Sequence, residues 1–198
     1  MKKALPIGVD NFEKIRNEGY CYIDKSMLIK ELLDLKGEVN LFTRPRRFGK
    51  TLNLSMLRYF FEDTGDGEKN ARNRELFQGL KIMEAGEEYR GQMGMYPVIN
   101  LTLKSAKQPT FSSAHGKLKR EISEEFKRHR YVLESDALEG DDKQRFRKIA
   151  AEEAGDEEYS GSLKFLSRCL YQVTGKKTII LIDEYDVPLE NAYFRGYY

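Results

Sequence analysis

Gly49, Lys50 and Thr51 close the stretch "RPRRFGKT" and run straight into an apolar helical pattern. That order suits a phosphate group. A loop ending where a helix begins turns backbone N–H groups and the positive end of the helix dipole toward an anion. In such a loop the lysine reaches the β- and γ-phosphates of a nucleotide, and the threonine hydroxyl binds magnesium. Much later, "TIILIDEYDVPL" sets Asp183 and Glu184 after four uninterrupted apolar residues, 179–182. A carboxylate at that place serves the same ion, and its neighbour is positioned to polarise an attacking water. Each half is ordinary by itself. Together, in this order, they point to a nucleotide, with ATP and Mg2+ as the ligands and GTP left open.

The loop departs from the usual pattern at its first position, where Arg44, followed by Pro45, stands in place of a glycine. A β-carbon resists backbone angles that glycine allows, and the proline holds Arg44 extended, so the cradle must follow a different path. Arg46 and Arg47 are candidates to compensate, because guanidinium groups bind phosphate oxygens bidentately. Solvation, or pairing with nearby acids, is the alternative for both. The candidate nucleotide-binding residues are Arg44, Arg46, Arg47, Phe48, Gly49, Lys50, Thr51 and Leu52, with the N–H groups of residues 48–51 forming the cradle. Thr51 and Asp183 are the candidate metal ligands. Lys50 and Glu184 are the candidate catalytic residues.

These residues need elements to hold them. "VNLFT", residues 39–43, reads as a short apolar strand leading into the loop. A helix is expected over residues 50–62, with Leu52, Leu54, Met56, Leu57, Phe60 and Phe61 around most of its circumference, so other elements should wrap it. Before the loop, "YCYIDKS" reads as extended, and Ser26 is placed to cap a helix that stops at Gly37. Residues 63–95 are polar and punctuated by glycine, which suggests a surface insertion whose island "LFQGLKI" tucks against the body. "YPVINLTL", residues 96–103, alternates like a strand with one wet face, and Pro97 favours a sheet edge. Helices are expected over residues 114–131, around Phe146, Ile149 and Ala150, and over residues 162–173, the last ended by Gly175. The run 179–182 reads as a central parallel strand covered on both faces.

Composition narrows the class. The chain has 198 residues, 40% hydrophobic and 33% charged, with a net charge of +2, which suits a soluble globular protein of one domain or slightly more. No global charge argues for a polyanionic partner. Cys21 and Cys169 lie far apart with no metal-ligand spacing, and read as buried, reduced thiols. No stretch is long and apolar enough for a membrane span or a signal peptide, and the expected location is the cytoplasm. "KLKR" (117–120) and "KRHR" (127–130) on one helix raise a nucleic-acid-binding module as a rival, against a solvated helical face. His115 and His129 read as isolated surface histidines, and Glu184 with Asp186 as an acid pair already explained by the magnesium role.

The segments "LPIGVDNFEKI", "YCYIDKS", "RPRRFGKTLNLSML", "LFQGLKI", "YPVINLTL" and "LIDEYDVPLENA" occur in the same order as in the predicted AAA-ATPase-like family of bacterial proteins, which the chain resembles from Leu5 onward. The resemblance implies an α/β, three-layered P-loop NTPase of the ASCE/AAA-like kind, with a mainly parallel sheet and a helical insertion. It implies that Lys50 and Thr51 stand in the Walker A positions and Asp183 and Glu184 in the Walker B positions. Arginine in place of the first glycine looks like a habit of the family. Its members commonly carry a PD-(D/E)XK nuclease-like domain after the ATPase, which makes nucleic acid a candidate partner through a domain absent from these residues. A further strand between the Walker A and Walker B strands is expected to follow Tyr198, so residues 1–198 read as one domain, truncated at its C-terminus, and self-association through unpaired strand edges is expected. The function implied is Mg-dependent ATP binding with hydrolysis; a nucleotide-sensing or scaffold remnant that no longer hydrolyses is the alternative.

Overall fold

The computed structural model describes residues 3–43, 45 and 48–198. The candidates Arg44, Arg46 and Arg47 lie outside the described residues. The chain divides into two compact units, Met1–Tyr96 and Pro97–Tyr198.

The first unit holds α1 (Phe12–Asn17), α2 (Met27–Leu35), α3 (Lys50–Phe61), α4 (Gly67–Glu75) and α5 (Glu87–Arg90). Its core is aromatic. Phe12, Phe60 and Phe77 are fully buried, with ring centroids 5.0 Å apart for Phe12 and Phe77 and 5.3 Å for Phe60 and Phe77, the spacing at which ring quadrupoles attract. The helix expected over residues 50–62 is present as α3, but its burial is lopsided. Residues 50–55 are half-exposed, while Met56, Leu57, Tyr59, Phe60 and Phe61 are buried. Around it, the Phe12 N–H donates to Ser55 Oγ at 3.0 Å, the Tyr59 hydroxyl donates to Glu13 at 2.9 Å and the Tyr22 hydroxyl donates to Met56 Sδ at 3.3 Å. The N–H groups of Gly94 and Tyr96 donate to the carbonyls of Phe60 and Phe61. α3 is a post sunk by its C-terminal half, with its N-terminal half standing out.

Three expectations for this unit change. The segment 39–43 forms no strand. A strand is fixed by ladder pairing, which this run lacks among the described residues, and Val39 and Leu41 are 90% and 65% exposed. Ser26 makes no side-chain cap to α2. Its buried hydroxyl instead accepts from the Ile82 N–H at 3.1 Å, and Asp24 accepts from the N–H groups of Ser26 and Lys81, so 24–26 clasps the turn at 81–82. Residues 63–95 hold α4, α5 and a 3-10 turn at Lys81–Glu84, and their island does tuck inward, but they supply core rather than a mere surface insertion: Leu76, Phe77, Leu80, Ile82 and Met93 are buried.

The second unit contains β1 (Val98–Thr102), α6 (Phe111–Arg128), α7 (Gly140–Ala150), α8 (Asp156–Ser160), α9 (Ser162–Thr174), β2 (Ile179–Asp183) and α10 (Val187–Arg195). β1 and β2 pair in parallel, Val98 opposite Ile179 and Thr102 opposite Asp183. This is an α/β fold with a small sheet. Among the described residues the mainly parallel, three-layered arrangement expected from the sequence is present only as this pair of strands with helices. Ile99 and Leu101 join Phe126, Phe146, Ile149, Phe165, Leu166 and Leu170 in one core, which the periodic stripes of α6, α7 and α9 foreshadow. Gly175 closes α9 at φ 66.

β2 is not covered on both faces. Leu181 is buried, but Ile180 and Ile182 are 45% and 38% exposed, because an apolar run records suitability for burial and not the presence of a cover. α6 begins at Phe111, before the expected residue 114, because Thr110 and Ser113 form a capping box ahead of it. His129 is not a surface residue: it is 1% exposed and hydrogen-bonded. Cys169 is buried, and burial pushes its thiol up to about 11; Cys21 is free but only partly buried.

Candidate functional site

At the mouth of α3, Gly49 adopts φ 76 and ψ 26. A β-carbon there would meet nothing within 4 Å, so glycine is required by the left-handed backbone and not by space. The first helical bond runs from the Asn53 N–H to the Gly49 carbonyl at 2.9 Å. Gly49, as the N-cap residue, brings no side chain to this helix end, and no acidic residue stands in its first turn. The positive end of α3 is therefore offset by no carboxylate of that turn, the condition under which a helix start attracts an anion. Phe48 is exposed, and Lys50, Thr51 and Leu52 are half-exposed. One turn of backbone thus gathers Phe48, Gly49, Lys50, Thr51 and Leu52.

Asp183 ends β2. Its carbonyl accepts from the Leu103 N–H at 3.0 Å, and its carboxylate accepts from the Glu184 N–H at 3.1 Å. Glu184 sits at φ 55, in the left-handed region. Lys36 and Glu152 share that conformation, but both follow helices, where a left-handed residue is a common stop. Glu184 follows a strand. The Val187 N–H then donates to the Glu184 carbonyl at 3.1 Å, turning the chain into α10. Both acids are half-buried. The sequence-derived site residues therefore fall into two groups, one on each unit.

Among the described residues no three His, Cys, Asp or Glu side chains gather as a metal site. Magnesium does not require one, since it keeps several waters and is held by one or two carboxylates together with substrate phosphates. A hydroxyl from Thr51 and a carboxylate from Asp183 are hard oxygen donors of the type it takes.

The support of β1 comes from residues outside the sequence-derived site. Glu125, 5% exposed, accepts from the Asn100 N–H at 2.7 Å, and Arg128 and His129 both reach the Val98 carbonyl. The signal was present as Glu125 and His129 four residues apart on one helix face. Four basic residues of α6 lie within ion-pair reach of acids: Lys119 of Asp156, Arg120 of Glu152, Lys127 of Glu124 and Arg128 of Glu125.

A family model described as Predicted AAA-ATPase matches residues 6–198. The chain belongs to this family. Membership points to nucleotide binding and ATPase activity in general terms. The chain is also similar to a protein of Azotobacter chroococcum mcd 1 described as an uncharacterized protein in the vnfD 5' region, at 27% identity over 189 residues. The match covers 95% of this chain and 30% of that protein, so the chain spans under a third of its relative's length. No solved structure matches. Among the described residues no helix is long and apolar enough to cross a membrane.

Proposed function

We propose that this chain binds ATP together with Mg2+ and that the protein hydrolyses the terminal phosphoanhydride. The observation that carries the reading is the start of α3: a left-handed Gly49 as N-cap, then Lys50 and Thr51, in a first turn that holds no acidic residue. The N–H groups of residues 48–51 hold phosphate oxygens. Lys50 would neutralise the β- and γ-phosphates, and Thr51 and Asp183 are the residues that would hold the ion. Magnesium, when bound, withdraws charge from the phosphoryl oxygens. Glu184 orients the attacking water and receives its proton. Arg46 and Arg47 supply guanidinium groups to the phosphates. The fold goes with this reading as a P-loop domain in which β2 is the strand that carries the Walker B acids.

The test is titration of ATP with and without Mg2+ into the wild type and Lys50→Ala, following phosphate release in the same samples. We expect affinity to fall about 100-fold, the loss of roughly 3 kcal/mol that a charged hydrogen-bonding group contributes, with the thermal midpoint unchanged. Equal affinity in both proteins overturns the reading. Tight binding by the wild type without phosphate release moves it to nucleotide sensing.

A further inference from the structure

The two edges of the sheet are not equivalent. In the parallel pair, the odd-numbered residues of β1 face β2: the Ile179 N–H donates to the Pro97 carbonyl and the Leu103 N–H to the Asp183 carbonyl, both at 3.0 Å. The even-numbered residues, Val98 and Asn100, therefore turn their backbone groups to the outer edge. An outer edge is a row of donors and acceptors that templates another strand. Here α6 fills it with side chains. The Asn100 N–H donates to Glu125 Oε1 at 2.7 Å. The Val98 carbonyl accepts from Arg128 and from His129 Nε2, the latter at 3.0 Å.

The groups are also fixed among themselves. Arg128 Nε donates to Glu125 Oε2 at 2.9 Å. His129 Nε2 lies 3.0 Å from the Val98 carbonyl and 3.3 Å from the Glu125 carboxylate, with an Arg128 nitrogen that can only donate at 3.1 Å. With two acceptors facing it, Nε2 carries the proton. Glu125 and His129 are 5% and 1% exposed. Burying a carboxylate and an imidazole is costly unless both are paired, and here each is matched to the backbone group that a neighbouring strand would have satisfied.

We propose that Glu125, Arg128 and His129 stand in for a neighbouring strand and seal the outer edge of β1 against strand addition by a second copy of this chain. An acceptor meets the outward N–H of Asn100 and donors meet the outward carbonyl of Val98, in the order a real strand presents them.

Amide hydrogen exchange on the wild-type chain tests this first. We expect the Asn100 N–H to be protected like the ladder amide of Leu101, while Thr102, exposed on the same edge, exchanges fast. Asn100 exchanging as fast as Thr102 overturns the proposal. In Glu125→Ala, Asn100 should exchange about tenfold faster with Leu101 unchanged, and sedimentation should show association that grows with concentration. Glu125→Gln, which keeps an accepting oxygen, should retain the protection. Asn100→Pro added to Glu125→Ala removes the outward N–H without touching the bonds to β2, and should return association to the wild-type level. Association that is no greater than wild type in Glu125→Ala, or that survives Asn100→Pro, overturns the proposal. Should Glu125→Ala fail to fold, the wild-type comparison of Asn100 with Thr102 decides.

Discussion

Gly49 and Glu184 hold the same left-handed backbone at the two turns where chemistry is expected, one in each unit, and only one of them is glycine. At Gly49 the conformation is free of steric penalty, and the residue serves by having no side chain. At Glu184 the conformation costs about 1 kcal/mol relative to glycine, and the residue there carries a long acidic side chain. A left-handed residue with a long side chain at the end of a strand is local strain that the surrounding turn must hold. The supports differ too. The Gly49 turn stands on a helix anchored at its far end by aromatic rings. The Asp183 turn hangs from a ladder whose other strand is gripped by α6.

The largest effects should come from those anchors. Phe60→Ala removes a fully buried ring at the foot of α3 and is expected to lower unfolding free energy by about 3–5 kcal/mol. Phe126→Ala in the second unit should cost the same range, read by thermal or urea melts. A much smaller loss for Phe60 would show that α3 is not held as a sunk post.

The two left-handed turns should then respond in opposite directions. Gly49→Ala forces a β-carbon into φ 76 and should destabilise by about 1–2 kcal/mol. Glu184→Gly relieves φ 55 and should stabilise by about 1 kcal/mol, while phosphate release stops and ATP binding persists. A destabilised Glu184→Gly, or one that still releases phosphate, would break the contrast.

The smallest effect sharpens the account of the first unit. Burial pushes the Asp24 carboxyl up, but hydrogen bonds from Lys81 and Ser26 outweigh burial and hold it below the ordinary carboxylate value. Its folded value is depressed, so its contribution is present above the unfolded value of about 3.9 and is lost as pH falls through the folded one. Urea melts from pH 6 down to pH 2 should show this loss in the wild type and a shallower slope in Asp24→Asn.

What the sequence disclosed follows the range of the forces involved. α3 and α9 were legible because a 3.6-residue stripe and a stop at Gly175 are local properties. The parallel character of β2 was legible from its unbroken isoleucines and leucine. Its missing cover was not, since nothing in residues 179–183 records what packs on Ile180 and Ile182. The strand expected at 39–43 failed for the same reason: pairing is a property of two segments. His129 was misplaced because its partners, Val98 and Glu125, become neighbours only once β1 lies along α6. Ser26 has the composition of a cap, but Ile82, 56 residues away, takes its hydroxyl. At the candidate site, the GKT turn and the two acids were visible as motifs, whereas the left-handed Glu184 had no signature in composition.

The Tyr22 contact with Met56 has an optical consequence. The chain contains 12 tyrosines and no tryptophan, so its native ultraviolet emission comes from phenol rings, of which Tyr59 belongs to α3 and Tyr22 touches it at Met56. Excitation at wavelengths that only indole absorbs is silent in this protein. A single tryptophan placed in the turn ahead of Lys50 would therefore shine against a dark background and report on that turn alone.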